Sequence, residues 1–128
     1  MTLVDASIII EYLQSRSPKL LSTMQSNGAA ICGVTRAEVL AGSRNPKQQQ
    51  SLTALLDSLS QITLDDARWD EVGDHLATLR AAGVTVPFPD AVLSTLAISL
   101  DIELWTRDQH FSLIQRVFPA LKLFQETP

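Results

Sequence analysis

Short apolar runs alternate with stretches of helical periodicity along the whole chain, and this alternation narrows the possible folds more than any other feature. Residues 2–5, TLVD, read as a buried strand, and SIIIEYL continues as a helix to about Ser15. PKLLSTMQS places a proline at a helical first position and apolar residues at helical spacing. AAIC is a second strand, followed by a helix opening at Thr35 and ended by Gly42 or by Asn45-Pro46. KQQQSLTALLDSL is a further helix and QITL a third strand.

Residues 65–83 form the longest amphipathic helix, with Trp69, Val72, Leu76 and Leu79 on one face, two acids at the start and Gly83 at the end. VTVPFP reads as a loop, PDAVLSTLAISL as a helix, IELW as a strand, residues 108–116 as a last helix and LKLF as a closing strand. Strands that alternate with helices imply a parallel sheet covered on both faces. The expected fold class is α/β, a three-layer α/β/α arrangement around a central parallel sheet of four to five strands. With 128 residues, no internal repeat and no linker, a single domain over 1–128 is expected.

The start, MTLVDASIII, is apolar, but Asp5 interrupts it, no basic segment precedes it and Glu11 follows. This pattern argues against a signal peptide or a membrane span, and the expected location is the cytoplasm. The single cysteine, Cys32, lies inside AAICGV and reads as a core residue in a reducing compartment. A net charge of −4 excludes a surface that grips nucleic acid by general positive charge, so any such role needs a local arrangement.

Helix N-termini and strand C-ends share one edge of a parallel α/β sheet, and ligands bind there. Asp5 follows the first strand. Thr35 and Glu38 lie in the first turn after the second. Asp90 opens the helix that begins at Pro89, and Asp108 follows IELW. A helix from Asp90 to Leu100 rises about 16 Å, and a four-residue strand returns about 13 Å, so Asp108 comes back to the level of Asp90.

Each acid also stands where a helix favours a capping or dipole-facing carboxylate. Thr35-Arg36-Ala37-Glu38 and Thr106-Arg107-Asp108-Gln109 are formal capping boxes. Asp65 and Asp66 follow a strand and open a helix too, but their tandem placement on a polar-faced helix fits plain dipole complementation. Asp5, Glu38 and Asp90 differ in adjoining residues that pack. Two carboxylates 5 Å apart repel by about 3 kcal/mol at an effective dielectric near 20, so a cluster of four raises its own pKa values unless a cation neutralises it. Oxygen ligands suit Mg²⁺ or Mn²⁺, and no Cys/His set for zinc is present.

Four motifs, VDAS, TRAEVLAG, PDAVLSTLAISL and ELWTRDQHF, occur in an order and spacing that resembles the PIN domain, specifically the VapC-type toxin ribonucleases of toxin–antitoxin pairs. The resemblance covers nearly the whole chain. It implies a PIN-like fold and hydrolysis of RNA phosphodiesters to 5′-phosphate and 3′-hydroxyl ends, with Mg²⁺ or Mn²⁺ as cofactor. The implied acidic site is Asp5, Glu38, Asp90 and Asp108, with Asp5, Asp90 and Asp108 as metal ligands. Glu38 is left to hold a second ion or orient the water, and Ser7 and Thr106 are supporting hydroxyls.

Many relatives carry an acid or amide where this chain has His110, which reads here as a first-turn surface side chain; His75 reads as structural. Arg36, Arg44, Lys47 and Arg107 are candidate RNA phosphate contacts, with solvated charge as the alternative and, for Arg36, a pairing with a site carboxylate. No aromatic cluster offers a base-stacking platform. The resemblance further implies a VapB-like antitoxin over the acidic edge, a homodimer, and a higher assembly with the antitoxin. The apolar helices at 8–13 and 18–24 are candidates for the dimer interface, with core packing the main destination of their residues. Besides a purely structural α/β domain with well-capped helices, two rivals remain at this point. One is a catalytically inactive PIN-like module that binds RNA or protein. The other is a phospho-acceptor domain of the receiver type, which the single acid after the first strand and the position of Lys122 inside LKLF disfavour.

Overall fold

Adjacent residues on each central strand enter different hydrophobic clusters, which accounts for the unbroken apolar runs. The computed structural model describes Met1–Pro128. Its strands are β1 (Thr2–Val4), β2 (Ala29–Cys32), β3 (Ser60–Ile62), β4 (Glu103–Trp105) and β5 (Lys122–Leu123). Its helices are α1 (Ala6–Ser15), α2 (Pro18–Ser26), α3 (Gly33–Ala41), α4 (Pro46–Asp57), α5 (Asp66–Ala81), α6 (Phe88–Leu100) and α7 (Phe111–Val117).

Leu3, Cys32 and Leu104 join Val72 and Leu79 of α5, Leu93 and Leu96 of α6, and Phe111 and Ile114 of α7. Val4, Ile31 and Trp105 join Ile8 and Ile9 of α1, Leu20 and Met24 of α2, Val39 of α3, and Leu52 and Leu56 of α4. Successive strand side chains point to opposite faces. With helices on both, each position must be apolar. Cys32 is 1% exposed and free, as a core residue should be. The apolar residues of α1 and α2 face the core, apart from Ile10, which is 43% exposed. No helix is long and apolar enough to cross a membrane.

The five strands are all parallel, in the order β3-β2-β1-β4-β5. From β1 the chain runs outward through β2 to β3, then returns to the other side of β1 as β4. The C-ends of β1 and β4 therefore flank the point where the direction of winding reverses, the place where such sheets open a crevice.

Among the boundaries that differ from the sequence expectation, three follow from a neighbouring element or loop. Helix α3 opens at Gly33 rather than Thr35, because β2 runs into it without a loop. Thr35 is then inside the helix, fully buried, with its hydroxyl donating to the Val4 carbonyl at 3.4 Å, and the capping box at 35–38 does not form. The early start of α3 also ends the ladder at the Cys32–Ile62 pair, so β3 covers 60–62 rather than 61–64. Helix α7 begins at Phe111, which leaves residues 106–110 as a loop between β4 and the helix. Gly83 does end α5, at φ 78, with Val84 N donating to the Leu79 carbonyl at 2.8 Å.

Leu104 is fully buried on a strand paired on both sides. Leu104→Ala is expected to cost about 2–5 kcal/mol by urea unfolding, whereas Ile10→Ala at the exposed position should stay within about 0.5 kcal/mol. Equal losses at the two positions would contradict the layer assignment.

Candidate metal centre

The register of β1 against β4 pairs Leu3 with Leu104 and Val4 with Trp105. One residue further, Asp5 and Thr106 come level, and Asp5 N continues the ladder by donating to the Trp105 carbonyl at 2.9 Å. Asp5 holds the N-cap position of α1, yet its side chain makes no capping bond. Instead its Oδ2 accepts from Ser7 Oγ at 2.8 Å and from Thr106 Oγ1 at 2.7 Å. Each hydroxyl gives its one proton to Asp5 and uses a lone pair to hold the loop. Ser7 Oγ accepts from Arg107 N at 3.1 Å, and Thr106 Oγ1 accepts from Asp108 N at 3.0 Å. Asp5 Oδ1 has no protein donor.

Thr106 therefore closes a local turn rather than the expected capping box. Asp108 does not cap α7 either. Its Oδ1 accepts from His110 N at 2.9 Å and lies 3.2 Å from His110 Nδ1. Asp90 sits in the first turn of α6, which opens at Phe88 after Pro87. It is 9% exposed, and Oδ2 is buried with no hydrogen-bond partner. By contrast Asp65, the control acid, does cap its helix, accepting from Arg68 N at 2.9 Å.

Ligand atoms of Asp90, Asp108 and His110 lie within 4.8 Å of one another. Asp5 and Glu38 fall outside that mutual distance, but their charge reaches Asp90. Burial first, and then repulsion from Asp108, Asp5 and Glu38, pushes the Asp90 carboxyl up to about 6; His110 pulls weakly the other way. Glu38 is exposed on α3, and its pKa is also raised, by partial desolvation and by Asp5. The four acids thus share one edge as a coupled set, tight at Asp90 and Asp108 and looser at Asp5 and Glu38.

No arginine or lysine neutralises them. Arg36 pairs with Asp57 at 2.8 Å and reaches Gln61 at 3.5 Å, not a site carboxylate. Arg107 binds Glu11 at 2.8 Å and Glu126, which also accepts from Trp105 Nε1 at 2.7 Å. Arg44 and Lys47 are exposed at the α3–α4 junction and form no ion pair. An unpartnered buried carboxylate oxygen, further oxygen donors and one imidazole fit a hard divalent cation such as Mg²⁺ or Mn²⁺.

His75 bonds Thr95 Oγ1 at 2.8 Å and lies against Phe118 with centroids 4.4 Å apart. Burial lowers its pKa despite Glu71 and Asp74, so it acts as a neutral packing residue. Two features escaped the sequence. His110 looked like a surface side chain; it is exposed, but the loop before α7 turns it toward Asp108. The second is an exposed aromatic pair. Trp69 and Phe88 stack with centroids 6.3 Å apart and planes 2° from parallel, and are 40% and 53% exposed. They are far apart in the chain, and only the packing of α5 on α6 joins them.

The family model described as PIN domain matches residues 2–117. No curated protein matches the chain. Among solved structures, VapBC2 from Rickettsia felis bound to a promoter DNA fragment superposes with a TM-score of 0.82 at 20% identity, covering 96% of each chain. VapBC-1 from nontypeable Haemophilus influenzae gives 0.78 at 19%, also covering 96% of each chain. DNA-bound VapBC from Salmonella typhimurium gives 0.79 at 17%, with the same coverage. At these identities the likeness is one of fold.

In the metal-free protein the folded state holds the Asp90 proton up to about pH 6, against an ordinary value of 3.8. Its contribution is therefore most favourable below about pH 4 and is lost as pH rises through 6. Asp90→Asn removes this dependence. In EDTA the variant should be more stable than wild type by about 1–2 kcal/mol at pH 7.5, allowing for solvent screening at the site. The difference should vanish near pH 4 in thermal melts. A wild type at least as stable as the variant at pH 7.5 would contradict the coupling.

Proposed function

The chain belongs to the PIN domain family, and from that premise we propose that it is a VapC-type toxin, an endoribonuclease that hydrolyses RNA phosphodiester bonds with Mg²⁺ or Mn²⁺. The observation that carries this reading is Asp90 Oδ2, a buried carboxylate oxygen with no protein partner beside the carboxylate of Asp108. Leaving such an oxygen unpaired is costly, and the nearest acids make it worse. A cation supplied from solution removes the cost, which is the arrangement expected of a binding site rather than of helix capping.

Asp5, Asp90 and Asp108 are the proposed ligands, with His110 beside Asp108 as a further donor. Ser7 and Thr106 hold Asp5 through Oδ2 alone, which leaves Oδ1 directed by two fixed bonds yet free to ligate. Glu38, exposed and coupled to Asp5, is suited to orient the attacking water or to add a ligand. A divalent ion bound here supplies positive charge against a phosphoryl oxygen and lowers the pKa of coordinated water. The raised Asp90 pKa keeps part of the site protonated in mildly acid solution, so ligation and activity should weaken toward pH 6 and below.

The same reading includes a VapB-like antitoxin as partner, because the comparable folds come from VapBC complexes. An acidic edge without an internal cation suits a basic antitoxin side chain that competes with the metal. Homodimer formation, a larger assembly with the antitoxin and a cytoplasmic location belong to the same proposal.

The test compares wild type with Asp5→Asn, whose amide oxygen can still accept from Ser7 and Thr106, on mixed cellular RNA in Mg²⁺ or Mn²⁺. Cleavage should occur with wild type alone and stop in EDTA. Equal cutting by both proteins, or cutting in EDTA, would refute the reading. In melts, wild type should gain about 2.7 kcal/mol at a hundredfold excess of metal over Kd, and Asp90→Asn should lose most of that gain.

A further inference from the structure

Beside the carboxylates, on the β4–β5 side, the loop after β4 and the C-terminal tail line an open cavity of about 630 Å³, within the roughly 300–1,000 Å³ usual for ligand clefts. Asp108 forms the wall it shares with the candidate metal centre. The remaining polar lining comes mainly from Gln109, Ser112, Gln125 and the Arg107–Glu126 pair. Arg107 and Glu126 cancel each other's charge within this wall. Neither the Gln109 nor the Gln125 carboxamide is bonded to another protein group. Phe124 lies against Trp105, with centroids 4.9 Å apart, and is itself one of the lining residues.

This lining is poorly suited to a phosphate, since it offers no free cation and Asp108 repels an anion. Two unpaired carboxamides with donors and acceptors, next to an aromatic ring, suit the edge and face of a nucleobase. The cations lie outside. Arg116 stands one turn beyond Ser112 on the same face of α7 and makes no ion pair. Lys19, also unpaired, has its charge felt at Glu126. A base inside and a backbone passing outside matches this distribution. The other aromatic pair, Trp69 with Phe88, has exposed Asp65, Asp66 and Asp70 within one turn of Trp69 in the chain, which disfavours a polyanion.

We propose that this cavity is a base-specificity subsite: it takes the base of a nucleotide adjoining the scissile phosphate, and Gln109 and Gln125 read its edge. The proposal rests on the nuclease reading of the adjacent carboxylates and adds a determinant of which RNA is cut.

Two measurements test it. In the first, 5′-nucleoside monophosphates are titrated into Asp5→Asn and followed by amide chemical shifts. Saturable shifts are expected at Ser112 and Gln125, with one base preferred. The Gln109→Ala/Gln125→Ala change should weaken binding at least tenfold. In the second, a short RNA library randomised around the cut is digested by wild type and by that double variant. The variant should lose kcat/KM at least tenfold and flatten the preference at one position, with its metal-induced melting shift unchanged. Shifts confined to the Trp69–Phe88 face, no saturable binding at millimolar nucleotide, or an unaltered cleavage preference would overturn the subsite. A wild type that cuts no RNA would instead remove the nuclease reading, and the titration would then decide on its own whether the cavity binds a base.

Discussion

The parallel pairing of β1 with β4 is the constraint on which the site depends. It joins strands separated by most of the chain and sets Val4 against Trp105, which brings Asp5 level with Thr106. The hydroxyl bonds among Asp5, Ser7 and Thr106 then become possible, and the same hydroxyls hold the loop that carries Asp108. A one-residue slip would turn Leu104 and Trp105 to the wrong layers and separate Asp5 from Thr106. The hydrophobic pattern therefore enforces the position of the polar site, because the core does not tolerate another register.

Electrostatics acts against the packing at the same edge. Burial and three neighbouring acids disfavour the charged form of Asp90, so the metal-free fold gives up stability near neutral pH at this edge. Functional sites commonly retain such a cost when the missing charge arrives with a ligand. The arginines nearest in sequence do not relieve it. Arg36 is committed to Asp57, and Arg107 ties α1 to the C-terminal tail through Glu11 and Glu126. The basic side chains that looked like RNA contacts thus include two that brace the structure. The cations left unpaired around the cavity beside β5 are Lys19 and Arg116.

Much of the architecture was legible in the sequence because strand and helix signals are local. Apolar runs, Pro18 at a helix start and Gly83 at a helix end mark most elements within a few residues. Errors fell where a neighbouring element decided the boundary. Helix α3 starts early because β2 enters it directly, β3 stops where β2 stops, and α7 starts late because Thr106 and Asp108 turn the loop onto Asp5. The two formal capping boxes failed for the same reason: a motif records which bonds are possible locally, not which long-range partner takes the hydroxyl.

By itself the sequence determined the alternating α/β pattern, the two-sided apolar strands and the placement of Asp5, Asp90 and Asp108 at element ends, all of which follow from periodicity and chain length. Only the tertiary structure decided that Asp90 is left without a partner and that it meets Asp108 and His110 at one place. It also decided that Arg107 is bound on both sides, and that Trp69 meets Phe88. Each of these depends on side chains that distant segments bring together, and charge, burial and hydrogen-bond competition at such meetings are properties of the assembled surface rather than of any single stretch of chain.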